Sequence, residues 1–216
     1  MPRPVLTAVA LAATVLMSTG CTRVSPPTSS TVATPPAPSA PTSTPAPAGG
    51  LRAGPGTSAN DTVQPQPAPA SCHYTYDGTD PLPDPHCTPG SVDPQVTQAN
   101  ISTTICSHGF TSSLRPPERV TAPEKEGSAV AYGYTGWLHL AEYDHLVPLE
   151  LGGDPNDPAN LWVEPPDDPR ATSFANAKDR LEARLNGLVC TGRLPLATAQ
   201  QAIASDWVAA ERTYGG

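Results

Sequence analysis

The chain has 216 residues, including 29 prolines, and its 20 acidic and 12 basic residues give a formal net charge of −8. From residue 72 to the end the balance is more acidic, with 19 acidic and nine basic residues and a net charge of −10. This excludes the simplest kind of nucleic-acid binder, a basic domain held by broad phosphate neutralisation. It does not exclude an enzyme that binds phosphate through a metal ion. The part from residue 72 onward is long enough for one compact core.

Residues 1–21 have the features of an export signal. Arg3 supplies a positive start, and an apolar run of 13 residues follows from Val5 to Met17, interrupted only by two threonines. Such a run is short for a membrane span but typical of a secretory signal. Small residues precede Cys21, as in a bacterial lipoprotein cleavage site. We therefore predict export with Cys21 as the lipidation site, which would anchor the protein on the extracytoplasmic face of the cell membrane. A cleaved signal and a free secreted protein is the alternative.

A proline-rich arm follows the signal. Residues 24–71 contain 12 prolines and no aromatic residue, and their only charged residues are Arg52 and Asp61. Such a stretch buries too little apolar surface to offset its chain entropy. We predict that residues 22–71 form a disordered linker between the anchor and a domain at 72–216.

The cysteines point to disulfides. If Cys21 is lipidated, four cysteines remain, an even number in an exported chain, and three pairings are open. We favour Cys106–Cys190, which would tie the start of the domain to its C-terminal helices, together with Cys72–Cys87, which would close a local loop. The sequence has no CxxC motif, which makes a zinc ribbon a weak alternative.

The elements of the domain predict an α+β fold. Residues 72–95 are rich in Pro, Asp and Gly and are expected to be irregular, and residues 124–132 could form a helix. The segment 138–151 is the most strand-like, and a turn-rich loop separates it from a short apolar run at 161–163. Apolar residues three or four apart predict two C-terminal helices. Their apolar stripes are Phe174, Ala177, Leu181, Leu185 and Leu188 in the first, and Leu196, Ala199, Ile203, Trp207 and Ala210 in the second.

The residues that carry chemistry cluster around one segment. Asp144 and His145 are adjacent near a predicted strand end, where a ligand and a base can act together if a bend brings them to one side. Asn160 lies just past the turn-rich loop, where its amide could hold the orientation of a histidine or brace the loop. The first C-terminal helix then brings Asn176 and Lys178 into the same part of the chain.

The frame DHLVPLELGG…NLW…AKDRLEARL…VC resembles the HNH family of nucleases, and within it a group of small exported bacterial proteins. The resemblance covers most of the domain, from about Thr88 to Trp207. It implies a ββα-metal core with an additional C-terminal helix. His145 matches the general base of that family, Asp144 a metal ligand and Asn160 the middle asparagine. The third position, where related sequences often carry histidine, aligns best with Asn176, with Phe174 as the other choice.

The resemblance also implies a mechanism. His145, neutral near pH 7, would take a proton from water, and Asn160 would hold its ring in the productive tautomer. One divalent metal bound by Asp144 and Asn176 would polarise the phosphate, and oxygen-rich ligation favours Mg²⁺ or Mn²⁺. The flanking Glu142 and Glu150 are expected to be solvated strand residues rather than further ligands.

Basic residues gather on the helix beside the motif. We expect Lys178 and Arg180 to contact the substrate phosphates, with Arg170 and Arg184 nearby. The alternative is intrahelical ion pairing with acidic residues interspersed among them, namely Asp179 and Glu182.

These observations predict an exported, metal-dependent nuclease that hydrolyses phosphodiester bonds of DNA or RNA. A non-catalytic envelope lipoprotein that keeps the fold as a binding or structural module is the main alternative, favoured by the acidic charge and by asparagine at the third position, since Asn is a weaker metal ligand than His. A hydrolase of another phosphoester or an extracellular polymer would use the same residues.

Overall fold

The computed structural model describes residues 51–168, 170 and 176–216. The predicted signal, the lipidation site Cys21 and residues 22–50 of the predicted linker lie outside these ranges, as does Phe174. The described residues form a mixed α+β arrangement of six short strands and five helices. The strands are β1 (Arg52–Ala53), β2 (Thr75–Asp77), β3 (Asp80–Leu82), β4 (Ser91–Val92), β5 (Glu142–His145) and β6 (Leu161–Glu164). The helices are α1 (Phe110–Leu114), α2 (Glu118–Ala131), α3 (Lys178–Cys190), α4 (Leu196–Ser205) and α5 (Trp207–Tyr214).

The strands form three separate pairs. β1 runs parallel to β4, whereas β2 pairs with β3 and β5 with β6 in antiparallel order. β2, β3 and β4 fall in the segment predicted to be irregular. They are only two or three residues long, which is why the composition of that segment gave no strand pattern.

The strand predicted over 138–151 is shorter in the structure. β5 keeps four residues, and 3₁₀ turns flank it at Leu138–Leu140 and Leu149–Leu151. Pro148 has no N–H to donate to a ladder, and Gly152 follows with a φ of 70°, so the chain cannot continue as a strand. The apolar residues of the second turn are buried in the core rather than on a sheet face.

The C-terminal helices bury most of the predicted apolar stripes. In the first stripe Leu181, Leu185 and Leu188 are buried in α3, and Ala177, just before the helix, is partly buried. All five stripe residues of the second predicted helix are buried, but that helix is broken into α4 and α5. Asp206 is extended at the break, and its carboxylate accepts the backbone N–H of Ala209 at 2.9 Å. An aspartate that caps a helix N-terminus in this way starts a new helix, so the break has a local cause. The core of the domain lies where these helices meet the turn after β5.

Both favoured disulfides are present in the structure. Cys72 is bonded to Cys87, and Cys106 to Cys190 across 84 residues of chain. Disulfides persist in oxidising compartments, so the bridges indicate an extracellular type of environment. Among the described residues, no helix has both the length and the apolar character needed to cross a membrane.

The domain begins earlier than the predicted boundary at residue 72. Residues 51–71 pack on it: Arg52 forms an ion pair with Asp157 at 2.5 Å, and the N–H of Gln64 donates to Glu124 at 2.6 Å. β1 also adds a short parallel ladder beside β4. A segment poor in apolar side chains can therefore still be fixed through its backbone and a few polar contacts. This corrects the predicted linker over residues 51–71.

Candidate active site

The β5–β6 hairpin presents the adjacent acid and histidine. In its register Asp144 lies opposite Trp162 and His145 opposite Leu161. Both Asp144 and His145 line one cleft of about 340 Å³, whose other wall comes from α3 and the turn after β5. His145 is the last residue of β5, so the strand ends where the two residues reach the cleft. The structure thus brings them to a common site.

The loop that joins the two strands is held by Asn160. Its side-chain oxygen accepts the N–H of Val147 at 2.9 Å, and its amide nitrogen donates to the carbonyl oxygens of Val147 at 2.9 Å and Asp154 at 3.0 Å. Gly153 permits this close packing, because a Cβ there would come within 1.7 Å of the Val147 carbonyl oxygen. Asn160 is fully buried and acts on the backbone of the loop. Of the two roles considered for it, the structure shows the bracing one, and the amide makes no hydrogen bond to the His145 ring.

His145 is oriented by a carbonyl group of the same loop. Its Nε2 lies 3.1 Å from the backbone oxygen of Pro155, and only 8 % of the residue is exposed. A carbonyl can only accept, so Nε2 carries the proton and Nδ1 is left as a basic nitrogen. Burial lowers the pKa of His145 below its ordinary value, and this outweighs the opposite effect of Asp144. The ring is therefore neutral near pH 7.

Lys178 occupies the interior of the site. The residue is completely buried, and its ammonium donates to the Asp144 carboxylate, to Glu182 at 2.5 Å and to the backbone oxygen of His145 at 2.8 Å. These three acceptors match the three N–H groups of an ammonium. The predicted contact between Lys178 and a substrate phosphate is therefore unavailable in this structure. The intrahelical pairing with Glu182, weighed as the alternative, is present.

The carboxyl groups around Lys178 are strongly perturbed. Burial alone would raise the pKa of Asp144, but the ammonium of Lys178 outweighs it and the net shift is downward. Burial, together with the charge of Asp144, raises the pKa of the fully buried Glu164 well above its ordinary value. Burial lowers the pKa of Lys178, but the neighbouring carboxyl groups more than reverse this. These shifts favour an ionised Asp144, a charged Lys178 and a protonated Glu164. Burial also raises the pKa of the neighbouring Glu182 to about 8, although Lys178 opposes the shift.

Asn176 is engaged at the start of α3. Its side-chain oxygen accepts the N–H of Asp179 at 2.9 Å, the hydrogen bond expected of a residue that caps a helix. The oxygen predicted to bind a metal thus serves the helix. Asp144, the other predicted ligand, is bonded to Lys178. Within residues 51–168, 170 and 176–216, no group of three or more His, Cys, Asp or Glu side chains could hold a metal ion. The residues do not fit the predicted Mg²⁺ or Mn²⁺ site.

The mouth of the cleft is mixed in charge. Arg115 is the one arginine or lysine among the described residues that line it, and it is exposed. Glu142, Glu150 and Asp179 lie on the same walls. Burial and the neighbouring Asp144 raise the pKa of Glu142 to about 7, so this carboxyl is partly protonated at neutral pH. Glu142 is half-buried in the site rather than solvated as expected.

The remaining predicted cations lie outside the cleft lining. Arg180 is exposed on α3, and Arg170 is close to Asp168 at 3.3 Å on the surface. Arg184 is also exposed, and its Nε donates to the backbone oxygen of Tyr214 at 3.2 Å. None of these three residues is among those lining the cleft in the described part of the chain.

Three residues of the site were not predicted from the sequence: Glu164, Glu182 and Arg115. Glu164 carried a usable signal, because a carboxylate directly after the apolar run 161–163 lies opposite Glu142 once the two strands pair. Glu182 was noted only as an ion-pair partner on the helix surface. Arg115 precedes two prolines far from the motif, and nothing in the sequence connects it to His145. No protein-family model, curated protein or solved structure matches this chain.

Proposed function

We propose that this protein is an exported nuclease that hydrolyses phosphodiester bonds of DNA or RNA with His145 as the general base. The observation that carries the proposal is the setting of His145. Its Nε2–H is fixed on the Pro155 carbonyl, and the residue lines a cleft together with a single arginine. The strand–loop–strand–helix order of β5, β6 and α3 and the resemblance to HNH nucleases support the same reaction class.

The proposed reaction needs a correctly placed base and a cation near the phosphate. A water molecule in the cleft would give a proton to Nδ1 of His145 as its oxygen attacks phosphorus, and a positioned base of this kind typically contributes 10²–10⁴-fold. Arg115 would pair with the phosphoryl oxygens, since a guanidinium matches phosphate geometry. Asn160 would act indirectly, because it braces the loop whose Pro155 carbonyl orients the His145 ring.

The direct test is cleavage of plasmid DNA and of RNA by the purified protein with both disulfides intact. His145→Ala is the decisive variant, and we expect it to lower the rate by about 10²–10⁴-fold. His139→Ala is the matched control, because that histidine lies in the turn before β5 and does not line the cleft. Equal cleavage by wild type and His145→Ala would refute the proposal.

A small phosphodiester such as bis(p-nitrophenyl) phosphate separates catalysis from polymer binding. Cleavage of this ester without cleavage of DNA or RNA would point to another phosphoester as substrate. Arg115→Gln should raise KM for either substrate more than it lowers kcat, because the arginine is exposed and contacts the anion in both ground and transition states.

A second function is favoured by one specific observation. Asp144 is tied to Lys178, and Asn176 caps α3, so both predicted ligands are used in holding the fold together. A non-catalytic envelope protein would need no more than this. It would show no cleavage of DNA, RNA or the small ester under any condition, although the protein is folded and both disulfides are formed.

A further inference from the structure

The position beside Asp144 already holds a cation. This place is called the cation position, and three oxygen donors define it: the Asp144 carboxylate, the Glu182 carboxyl group and the backbone oxygen of His145. The Lys178 ammonium donates to all three and is fully shielded from solvent. Carboxylate and carbonyl oxygens are also the donors that Mg²⁺ and Mn²⁺ prefer. The same oxygens cannot serve both cations, because a divalent ion there would lie against a buried positive charge.

Removing Lys178 from this position is difficult. The side chain begins in the first turn of α3, and Asn176 caps that turn through the N–H of Asp179. α3 is in turn fixed by the Cys106–Cys190 bridge at its last residue. A swing of the ammonium into water would leave the buried Asp144 charge without a partner, which is strongly unfavourable. The ammonium is therefore a permanent part of the site.

We infer that the Lys178 ammonium fills the position that a divalent metal ion would need in this site, so that phosphodiester cleavage at His145 proceeds without added metal. This rests on the proposed nuclease function. Lys178 is a positioning residue, since it is buried and cannot touch substrate. It neutralises Asp144 and, through the His145 carbonyl, holds the end of β5 beneath the cleft.

The reaction balances without a metal. The water oxygen forms the new bond to phosphorus while its proton passes to Nδ1 of His145. The bond from phosphorus to the leaving oxygen breaks, and that oxygen takes a proton from solvent. Arg115 faces the phosphoryl charge from the cleft wall.

The first experiment measures Mn²⁺ binding by electron paramagnetic resonance and needs no activity. Wild type should bind no Mn²⁺ that depends on Asp144. Lys178→Met keeps the unbranched shape of the side chain but removes the ammonium group. It should gain a site that the further change Asp144→Asn abolishes. Lys125→Met is the matched control, because Lys125 is a partly buried lysine that donates to the Ala141 carbonyl outside the cluster. It should gain no Mn²⁺ site.

Two binding results would overturn the inference. One is Mn²⁺ binding by wild type that Asp144→Asn removes. The other is a folded Lys178→Met protein that binds no more Mn²⁺ than wild type. If Lys178→Met does not fold, the wild-type measurement alone still decides.

The second experiment compares cleavage of plasmid DNA in EDTA and in Mg²⁺. The two rates should agree within about twofold, whereas an enzyme that depends on a metal for charge stabilisation would lose nearly all activity in EDTA. Cleavage that requires Mg²⁺ would overturn the inference and leave the proposed nuclease function intact. Absence of cleavage under every condition would refute the nuclease function, while the Mn²⁺ data would still decide what occupies the cation position.

Discussion

The replacement Asn160→Ala tests whether this asparagine braces the loop. The side chain is completely buried and makes three short hydrogen bonds to backbone groups, two with Val147 and one with Asp154. Alanine would leave these three buried backbone groups unpaired, and it would also remove the more distant acceptor of the Ser91 N–H, at 3.4 Å. Each unpaired group costs about 1–3 kcal/mol, and partial relaxation of the loop offsets part of the total, so we expect a loss of about 3–5 kcal/mol in the free energy of unfolding.

Urea denaturation with both disulfides intact measures this loss, and thermal unfolding should show a fall in Tm of about 10 °C. Asn100→Ala is a suitable control. Its side chain also makes two hydrogen bonds to backbone, to Thr97 and Gln95, but it lies near the surface. We expect about 1 kcal/mol for this control.

Asn160→Asp adds a sharper comparison. A carboxylate keeps the acceptor for the Val147 N–H but directs a second oxygen at two carbonyl oxygens, so it should destabilise the protein at least as much as alanine. A loss below about 1 kcal/mol for Asn160→Ala, with cleavage abolished, would refute the reasoning and assign Asn160 to the chemistry.

Three further changes test other parts of the structure. Lys178→Met leaves the buried Asp144 carboxylate without its counter-ion and should cost about 3–5 kcal/mol in urea unfolding. Lys125→Met should cost less than about 1 kcal/mol, and equal losses for the two variants would contradict the buried ion cluster. Replacing both cysteines of the Cys106–Cys190 bridge by serine should lower the free energy of unfolding by about 1.5 kcal/mol more than the same change at Cys72–Cys87, because the first bridge closes the longer loop. A larger loss at Cys72–Cys87 in calorimetry would contradict this. Burial raises the pKa of Asp154 from 3.8 to about 6, so the folded protein holds this proton to higher pH than the unfolded chain and loses stability as the pH rises through this interval. Asp154→Asn should therefore reduce the decline in urea midpoint between about pH 4 and 6. An unchanged decline would contradict the raised pKa.

Part of the fold could be predicted from local pattern. The apolar stripes of α3, α4 and α5 follow from helical spacing, and the residues of the second stripe are buried as that spacing requires. With Cys21 set aside, the even count of cysteines predicted two disulfides, and of the three open pairings the favoured one is present. The helical spacing did not predict the break at Asp206, because the apolar residues before and after this aspartate keep the same helical period.

The start of the domain could not be read from composition. Residues 51–71 carry few apolar side chains. Their attachment depends on backbone groups and on distant polar partners such as Glu124 and Asp157, which lie 60 and 105 residues further along the chain. Composition measures how much apolar surface a segment can bury, but it does not record whether distant residues offer hydrogen bonds to its backbone.

For the site, the sequence by itself determined which residue types could act and that Asp144 and His145 stand side by side. Only the tertiary structure decided their roles. The helix that carries Lys178 packs so that the ammonium enters the interior and bonds to Asp144, and the pairing of β5 with β6 buries Glu164 beside them. Burial, hydrogen bonding and charge pairing depend on which distant segments pack together, and a local sequence pattern does not contain that information. The same lysine that local sequence assigns to a surface phosphate is therefore, in the folded chain, the internal counter-ion of the acid beside the histidine.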